Sequence, residues 1–141
     1  SGLVEYISPK LADICKEVNI NIEKGKKYPD EVIRKICRYM AEILLEVSGV
    51  RPSSRLLELT LSPKSTALRL DYKIDRVSFT GGVADYIYNN QAETDLYKFG
   101  DIGILLGYEI KAILNEMNNE TILNTTDDID KYVNHLNNTR P

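Results

Sequence analysis

The stretch that decides the fold class lies at residues 75–85, which read Asp-Arg-Val-Ser-Phe-Thr-Gly-Gly-Val-Ala-Asp. Val77 and Phe79 alternate with polar neighbours, and this period of two predicts a short strand. The two glycines end the strand, and the residues from Val83 onward can begin a helical turn. The stretch therefore predicts a strand that passes through a Gly-Gly turn into a helix.

A Gly-Gly turn between a strand and a helix is suited to binding a nucleotide. Glycine has no Cβ and the first N–H groups of a helix lack intrahelical partners, so a ligand can approach the main chain closely. We take Gly81 and Gly82 as candidate contacts to a nucleoside, flanked by Thr80 and Val83. Asp85 can either bind a ribose hydroxyl or cap the next turn, and capping is the commoner role. A plain tight turn is the competing interpretation of the two glycines.

Composition and net charge indicate an ordinary soluble globular chain. The 141 residues are 43% hydrophobic and 28% charged, which is ordinary for one domain or one piece of a larger domain. The net charge of −3 argues against nucleic acid or an anionic membrane as the main partner. No apolar run approaches the ~20 residues that cross a bilayer, and the N-terminus lacks a signal-peptide pattern. We expect a cytoplasmic protein.

Cysteine and histidine usage excludes two common kinds of site. Cys15 and Cys37 both fall within helical patterns, so we expect two buried thiols, and a disulfide is the less common alternative. His135 is the only histidine and the chain has no CxxC motif. A zinc site or a histidine-dependent triad is therefore not expected.

Helical patterns dominate both halves of the chain. Ser8 and Pro9 supply a cap and a first residue for a short amphipathic helix. A longer helix begins at Pro29, and its apolar residues are so numerous that it should be packed on more than one side. A third helix is predicted to follow Asp101, whose side chain can cap it, and to end near Met117.

Two glycines, Gly103 and Gly107, lie four residues apart on one face of that third helix. Each costs about 1 kcal/mol of helix stability relative to alanine. Close packing against a neighbouring element is the simplest compensation, and direct contact with a ligand is the less common one. The spacing therefore predicts a neighbour that approaches this face closely.

The remaining segments carry weaker patterns. Residues 57–61 alternate like a strand, and residues 67–72 form a second extended run, so that a hairpin is predicted. Residues 118–141 are rich in asparagine and polar, with one short helix predicted around residues 129–136. Strands interspersed with helices indicate an α/β fold, and because the strands are few we expect a segment of a larger protein.

Three motifs resemble the reactivating factors of ethanolamine ammonia-lyase. They are Leu-Val-Glu-Tyr-Ile-Ser-Pro at residues 3–9, Ser-Phe-Thr-Gly-Gly-Val-Ala-Asp at residues 78–85 and Phe-Gly-Asp-Ile-Gly at residues 99–103. Their order and rough spacing are also similar to that family, and the resemblance covers about residues 1–117. It implies that residues 1–117 are part of the C-terminal lobe of an actin-like ATPase of the ribonuclease-H-like type, with long packed helices and few strands. The polar tail at residues 118–141 lies beyond the resemblance.

The resemblance also implies a function and partners. The family is thought to use ATP and Mg²⁺ to release damaged cobalamin from ethanolamine ammonia-lyase, as a chaperone-like factor in the bacterial cytoplasm. Gly81 and Gly82 would then form the adenosine-side turn. Association with a microcompartment and with further copies of the chain are expectations of the same kind. The alternative is a non-catalytic domain that keeps an actin-like scaffold to bind a protein partner.

One departure from the family pattern bears on catalysis. The motif Asp-x-Gly-Gly-Gly-Thr, which would hold the triphosphate and Mg²⁺ in actin-like ATPases, is absent from the chain. No catalytic residue stands out, since neither Asp85 nor Asp101 has a neighbour in sequence that makes it a convincing general base. Tyr86 and Tyr88 can stack on a base, but tyrosines in a core are commoner. We therefore expect that this chain alone does not hydrolyse ATP.

Overall fold

The computed structural model describes residues 2–61, 76–88, 95–97, 101–117 and 126–139. These residues form six helices: α1 (Pro9–Glu17), α2 (Asp30–Val47), α3 (Arg55–Thr60), α4 (Ala84–Tyr88), α5 (Gly103–Met117) and α6 (Thr126–Thr139). Before α1, residues 2–7 are extended and make an isolated antiparallel bridge, Leu3 to Lys27.

The first two helices begin where the sequence predicted. The Ser8 hydroxyl accepts a hydrogen bond from the Leu11 N–H at 3.1 Å, and Pro9 is the first residue of α1. Helix α2 follows Pro29 directly, with Asp30 and Glu31 in its first turn, where the helix dipole favours carboxylates. Both predicted helix starts are confirmed.

Helix α2 lies at the centre of the packing, as its apolar content predicted. On one side, α2, α4 and α5 share a core of Ala41, Leu45, Ile87, Ile110, Ile113 and Leu114. On another side, Ile43 packs against Ile14 of α1 and Leu57 of α3. Nearer its start, Ile33 and Cys37 pack against Leu105 of α5. Burying α2 on several sides removes most of its apolar surface from water.

The predicted α/β fold, a partial actin-like ATPase lobe, is contradicted. The described residues form helices and isolated bridges, with no sheet among them. The physical reason is that their apolar side chains are buried between helices rather than on the face of a sheet.

The strand predicted at residues 57–61 is wrong. Residues 55–60 form helix α3 instead. The alternation Leu-Glu-Leu-Thr-Leu also places Leu57 and Leu61 four residues apart, on one face of a helix. That face is used: Leu57 is buried and Leu61 packs beside it, against Ile14 and Ile43. The predicted partner run at residues 67–72 lies outside the described residues.

The segment before the Gly-Gly turn is extended and contains one β-bridge residue, Val77, and none of the described residues forms a strand beside it. Along residues 76–80 exposed and half-buried positions alternate, with Val77 and Phe79 the half-buried pair. The Phe79 N–H donates to the Tyr88 hydroxyl at 2.6 Å, and the two rings lie 6.4 Å apart. A side chain of α4 thus satisfies the backbone N–H of Phe79.

Helix α6 covers the region where a short helix was predicted in the tail. It is amphipathic, and it keeps Val133 and Leu136 more than 40% exposed. The guanidinium of Arg76 lies 5.3 Å from the ring centroid of Tyr132, close enough for a cation–π interaction. Among the described helices, none combines the length and the apolar character that a bilayer crossing needs.

Candidate functional site

The Gly-Gly turn joins the extended segment to α4 as predicted. Gly81 has a φ of +91°, a conformation that residues with a Cβ rarely adopt. The Ala84 N–H donates to the Gly81 carbonyl at 3.1 Å, which closes the turn, and the Tyr86 N–H donates to the Val83 carbonyl at 3.1 Å. Glycine is therefore needed at residue 81 by the backbone itself, whether or not a ligand binds.

The turn is open to solvent. A Cβ built on Gly81 or Gly82 would meet no atom within 4 Å. Thr80, both glycines and Asp85 are exposed, and Val83 is half-buried. Among the described residues, the N–H groups of Gly81, Gly82 and Val83 donate to no acceptor. The five predicted contact residues are thus brought together on an accessible turn with unused donors.

Helix α5 supports this turn through one glycine. A Cβ on Gly107 would lie 2.8 Å from the Tyr86 Cβ and 3.1 Å from the Val83 carbonyl oxygen. Real Cβ atoms essentially never lie as close as 2.8 Å to another atom. The prediction that a neighbouring element packs tightly on the glycine face is confirmed, and that neighbour is the start of α4.

A cleft of about 310 Å³ opens between the turn and the start of α5. Gly82, Val83 and Asp85 line one side, and Asp101 and Gly103 line the other. The Asp101 Oδ1 accepts a hydrogen bond from the Gly103 N–H at 2.8 Å, which confirms its predicted role at the start of α5. Asp85 lies in the first turn of α4 and makes no hydrogen bond within the described residues.

The tyrosines of α4 belong to the packing. Tyr86 stacks edge-on against Tyr108 of α5, with ring centroids 5.7 Å apart. Tyr88 is half-buried beside Phe79, and burial raises the pKa of its hydroxyl. The commoner interpretation, a core role, therefore holds for Tyr88, whereas Tyr86 is half-buried and also lines the cleft.

A second cavity of about 640 Å³ was not predicted from the sequence. Residues 2–6 form one wall, and the largely apolar remainder comes from Leu11, Ile22, Ile33, Ile36, Tyr97 and Ile102. Asp95 and Asp101 also line it, so Asp101 lies between the two cavities. In the sequence, only the apolar character of residues 3–7 indicates this cavity, because the residues that form its walls are far apart along the chain.

Tyr97 is held in the wall of this second cavity. Its hydroxyl donates to the Asp30 Oδ1 at 3.0 Å, and its backbone N–H donates to the Asp95 Oδ1 at 3.1 Å. Burial, followed by the hydrogen bond to Asp30, raises the pKa of Tyr97 to about 12. The ring is thus a neutral wall at physiological pH.

Cysteines and carboxylates do not form a metal centre in the described part of the chain, where no group of three or more His, Cys, Asp or Glu side chains converges. Cys15 and Cys37 are both free and buried, as predicted. Burial, with a smaller contribution from Glu109, raises the pKa of the Cys37 thiol to about 12. Cys37 is therefore a packed thiol and not a nucleophile.

Residues 1–130 match the family model described as ethanolamine utilisation protein EutA. This range contains all three motifs quoted above. No curated protein and no solved structure matches the chain.

Proposed function

The chain belongs to the family of the ethanolamine utilisation protein EutA, and from this premise we propose that it is part of an ATP-dependent, chaperone-like factor that releases damaged cobalamin from ethanolamine ammonia-lyase. Within that factor, the turn at residues 80–83 contacts the nucleoside of ATP. Family membership supports the pathway, and the geometry of the turn supports the site.

One observation carries the assignment of the nucleoside to this turn. The N–H groups of Gly81, Gly82 and Val83 are unused by the described residues, and none of those residues places an atom within 4 Å of a Cβ built on either glycine. A planar base or a sugar can therefore approach the main chain without displacing an atom of the described residues. Asp85, which is exposed and lines the same cleft, is placed to accept a hydrogen bond from a ribose hydroxyl.

The acidic side chains of the cleft are compatible with an uncharged nucleoside but would repel phosphates. Asp85 and Asp101 are both acidic, and no described basic side chain lines the cleft. A triphosphate close to two carboxylates would be repelled. When bound, ATP supplies the free energy of phosphoanhydride hydrolysis, and the residues that hold its phosphates and Mg²⁺ are expected outside this turn.

Binding of a nucleoside tests the proposal directly. Isothermal titration of the chain with adenosine and with ATP should give similar affinities, because only the nucleoside is contacted. Gly82→Val should abolish binding of both, because its side chain fills the open space above the turn. Since Gly82 has no positive φ and no neighbour within 4 Å, the variant should fold normally. Ser53→Val, in an exposed loop before α3, is the matched control and should bind as the unaltered chain does.

Two results would count against the proposal. Failure of the unaltered chain to bind either ligand would remove the nucleoside site and favour a non-catalytic interaction domain. Unchanged affinity in Gly82→Val would mean that any nucleotide site lies elsewhere.

Catalysis is tested separately. The chain lacks the Asp-x-Gly-Gly-Gly-Thr motif, so we expect no ATP turnover by the purified chain with Mg²⁺. Multiple-turnover, Mg²⁺-dependent hydrolysis would contradict this expectation. Pull-down of the chain by cobalamin-inactivated ethanolamine ammonia-lyase tests the proposed partner, with the active lyase as control.

A further inference from the structure

The extended segment at residues 2–6 has one open backbone edge. The Val4 N–H donates to the Lys26 carbonyl at 2.9 Å, and the Tyr28 N–H donates to the Gly2 carbonyl at 2.9 Å. These bonds flank Leu3, so the Leu3 N–H and C=O point away from the paired segment. Leu3 and Glu5 make no backbone hydrogen bond within the described residues. An unpaired edge of this kind is a template for another strand.

The second cavity, of about 640 Å³, runs along this segment. Side chains alternate across an extended segment, so a cavity on one face would be lined by every second residue. Here all five residues from 2 to 6 line it. The cavity therefore runs along the whole segment, and Leu3 and Tyr6 beside it are 49% and 75% exposed.

The chemistry of the cavity selects its occupant. Its walls include Leu11, Ile33 and Ile36 from α1 and α2, which favour apolar side chains. Among the described residues that line the cavity, the charged ones are all acidic: Glu5, Asp95 and Asp101. Glu5 is exposed and forms no ion pair with the described residues. The nearby cation Lys26 lies outside the lining and is paired with Glu23 at 2.6 Å.

From this combination we propose that residues 3–5 are a docking edge for an extended segment of a partner polypeptide that is apolar on one face and carries lysine or arginine. The partner adds one strand to the open edge through main-chain hydrogen bonds at Leu3 and Glu5. Its alternate apolar side chains enter the cavity, and its cationic groups face Glu5, Asp95 and Asp101. Strand addition of this kind draws affinity from the backbone and specificity from the pockets. The inference does not depend on nucleotide binding at the Gly-Gly turn.

Synthetic peptides test the proposal on the full chain. The probe is fluorescein-labelled Lys-Val-Thr-Val-Thr-Val-Lys, followed by fluorescence anisotropy. One control peptide replaces both lysines with glutamate and should bind ~10-fold more weakly or worse, because attraction to the acidic lining becomes repulsion. A second control replaces the central valine and the threonine after it with proline; because consecutive N–H groups point to opposite edges, one of the two removed donors faces the protein in either register, and binding should be lost.

A charge reversal in the protein provides the matched test. Glu5→Lys should weaken binding of the lysine peptide by about 3- to 10-fold, since it turns one attraction into a repulsion. Asp13→Lys makes the same change of net charge on an exposed position of α1 outside the cavity lining, and should leave the affinity within about twofold.

Amide hydrogen exchange locates the bound peptide. The amides of Leu3 and Glu5 should become protected when the lysine peptide binds, while that of Val4, which is already bonded, should change least. The proposal is overturned if the lysine peptide does not bind, if the glutamate or proline peptide binds equally well, or if binding leaves the Leu3 and Glu5 amides unprotected.

Discussion

Replacing Gly107 with alanine should destabilise the protein, although the same change stabilises most helices. Gly107 is buried within α5, where it faces the start of α4. The added methyl group would lie 2.8 Å from the Tyr86 Cβ and 3.1 Å from the Val83 carbonyl oxygen. Neither atom is the far end of a flexible side chain, so relief requires that α4 move away from α5.

Two opposing terms set the size of the effect. Alanine favours the helix by about 1 kcal/mol relative to glycine. Overpacking a close contact costs about 1–3 kcal/mol. The net change in the free energy of unfolding should therefore be a loss of about 1 kcal/mol. A loss of this size lowers the melting temperature by ~3–4 °C for a chain of this length.

Urea unfolding followed by circular dichroism at the helical band measures this loss. Gly82→Ala is the matched control, because a Cβ there meets nothing within 4 Å and φ is not positive, and it should change the unfolding free energy by less than about 0.5 kcal/mol. If Gly107→Ala were as stable as the unaltered chain or more stable, the close contact between α4 and α5 would be refuted.

Three further outcomes are expected. Tyr88→Phe removes the hydroxyl that accepts the Phe79 N–H and should cost about 1–2 kcal/mol in urea unfolding, because that donor loses its partner. The hydrogen bond from Arg38 lowers the pKa of Glu116 below its ordinary value of 4.5. Their ion pair therefore stabilises the fold above pH 4.5, and this stabilisation is lost as the pH falls through the lowered pKa. Glu116→Gln should lower the urea midpoint at neutral pH but not in strong acid. The thiol of Cys37, which is fully buried with a pKa raised to about 12, should react with a disulfide reagent only when urea opens the chain.

Each of these outcomes has a control and a contrary result. Tyr6→Phe, at a tyrosine that is 75% exposed, should be neutral, and an equal loss in both variants would contradict the role given to the Tyr88 hydroxyl. Glu31→Gln should not reproduce the pH dependence of Glu116→Gln, and an identical profile would contradict the ion pair. Rapid labelling of Cys37 in the native chain would contradict its burial.

Features that depend on neighbours in sequence were predictable. Ser8 caps α1 and Pro29 precedes α2 because capping chemistry involves residues within one turn. The glycine spacing in α5 predicted a close neighbour, since a buried helical glycine needs compensation. Asp101 was likewise identified as a cap from its position before an apolar helical pattern.

Features that depend on distant contacts were not predictable. The pattern at residues 57–61 fits both a strand and a helix, and burial of Leu57 against Ile14 and Ile43 selects the helix. The Phe79 N–H donates to the Tyr88 hydroxyl and not to the carbonyl of a neighbouring strand. The hydrophobic periodicity of the sequence does not predict this partner. The larger cavity combines residues 2–6 with Ile33, Ile36 and Ile102, which meet only in the folded chain.

Asp101 has a consequence for communication between the two cavities. Its carboxylate lines both of them and also accepts the hydrogen bond that begins α5. A cationic ligand that drew this carboxylate into one cavity would change its position in the other and would weaken its hydrogen bond to the Gly103 N–H. By thermodynamic linkage, the effect is reciprocal: whatever factor the first ligand imposes on the affinity of the second, the second imposes on the first. Asp101 is therefore the residue through which coupling between the two cavities would act.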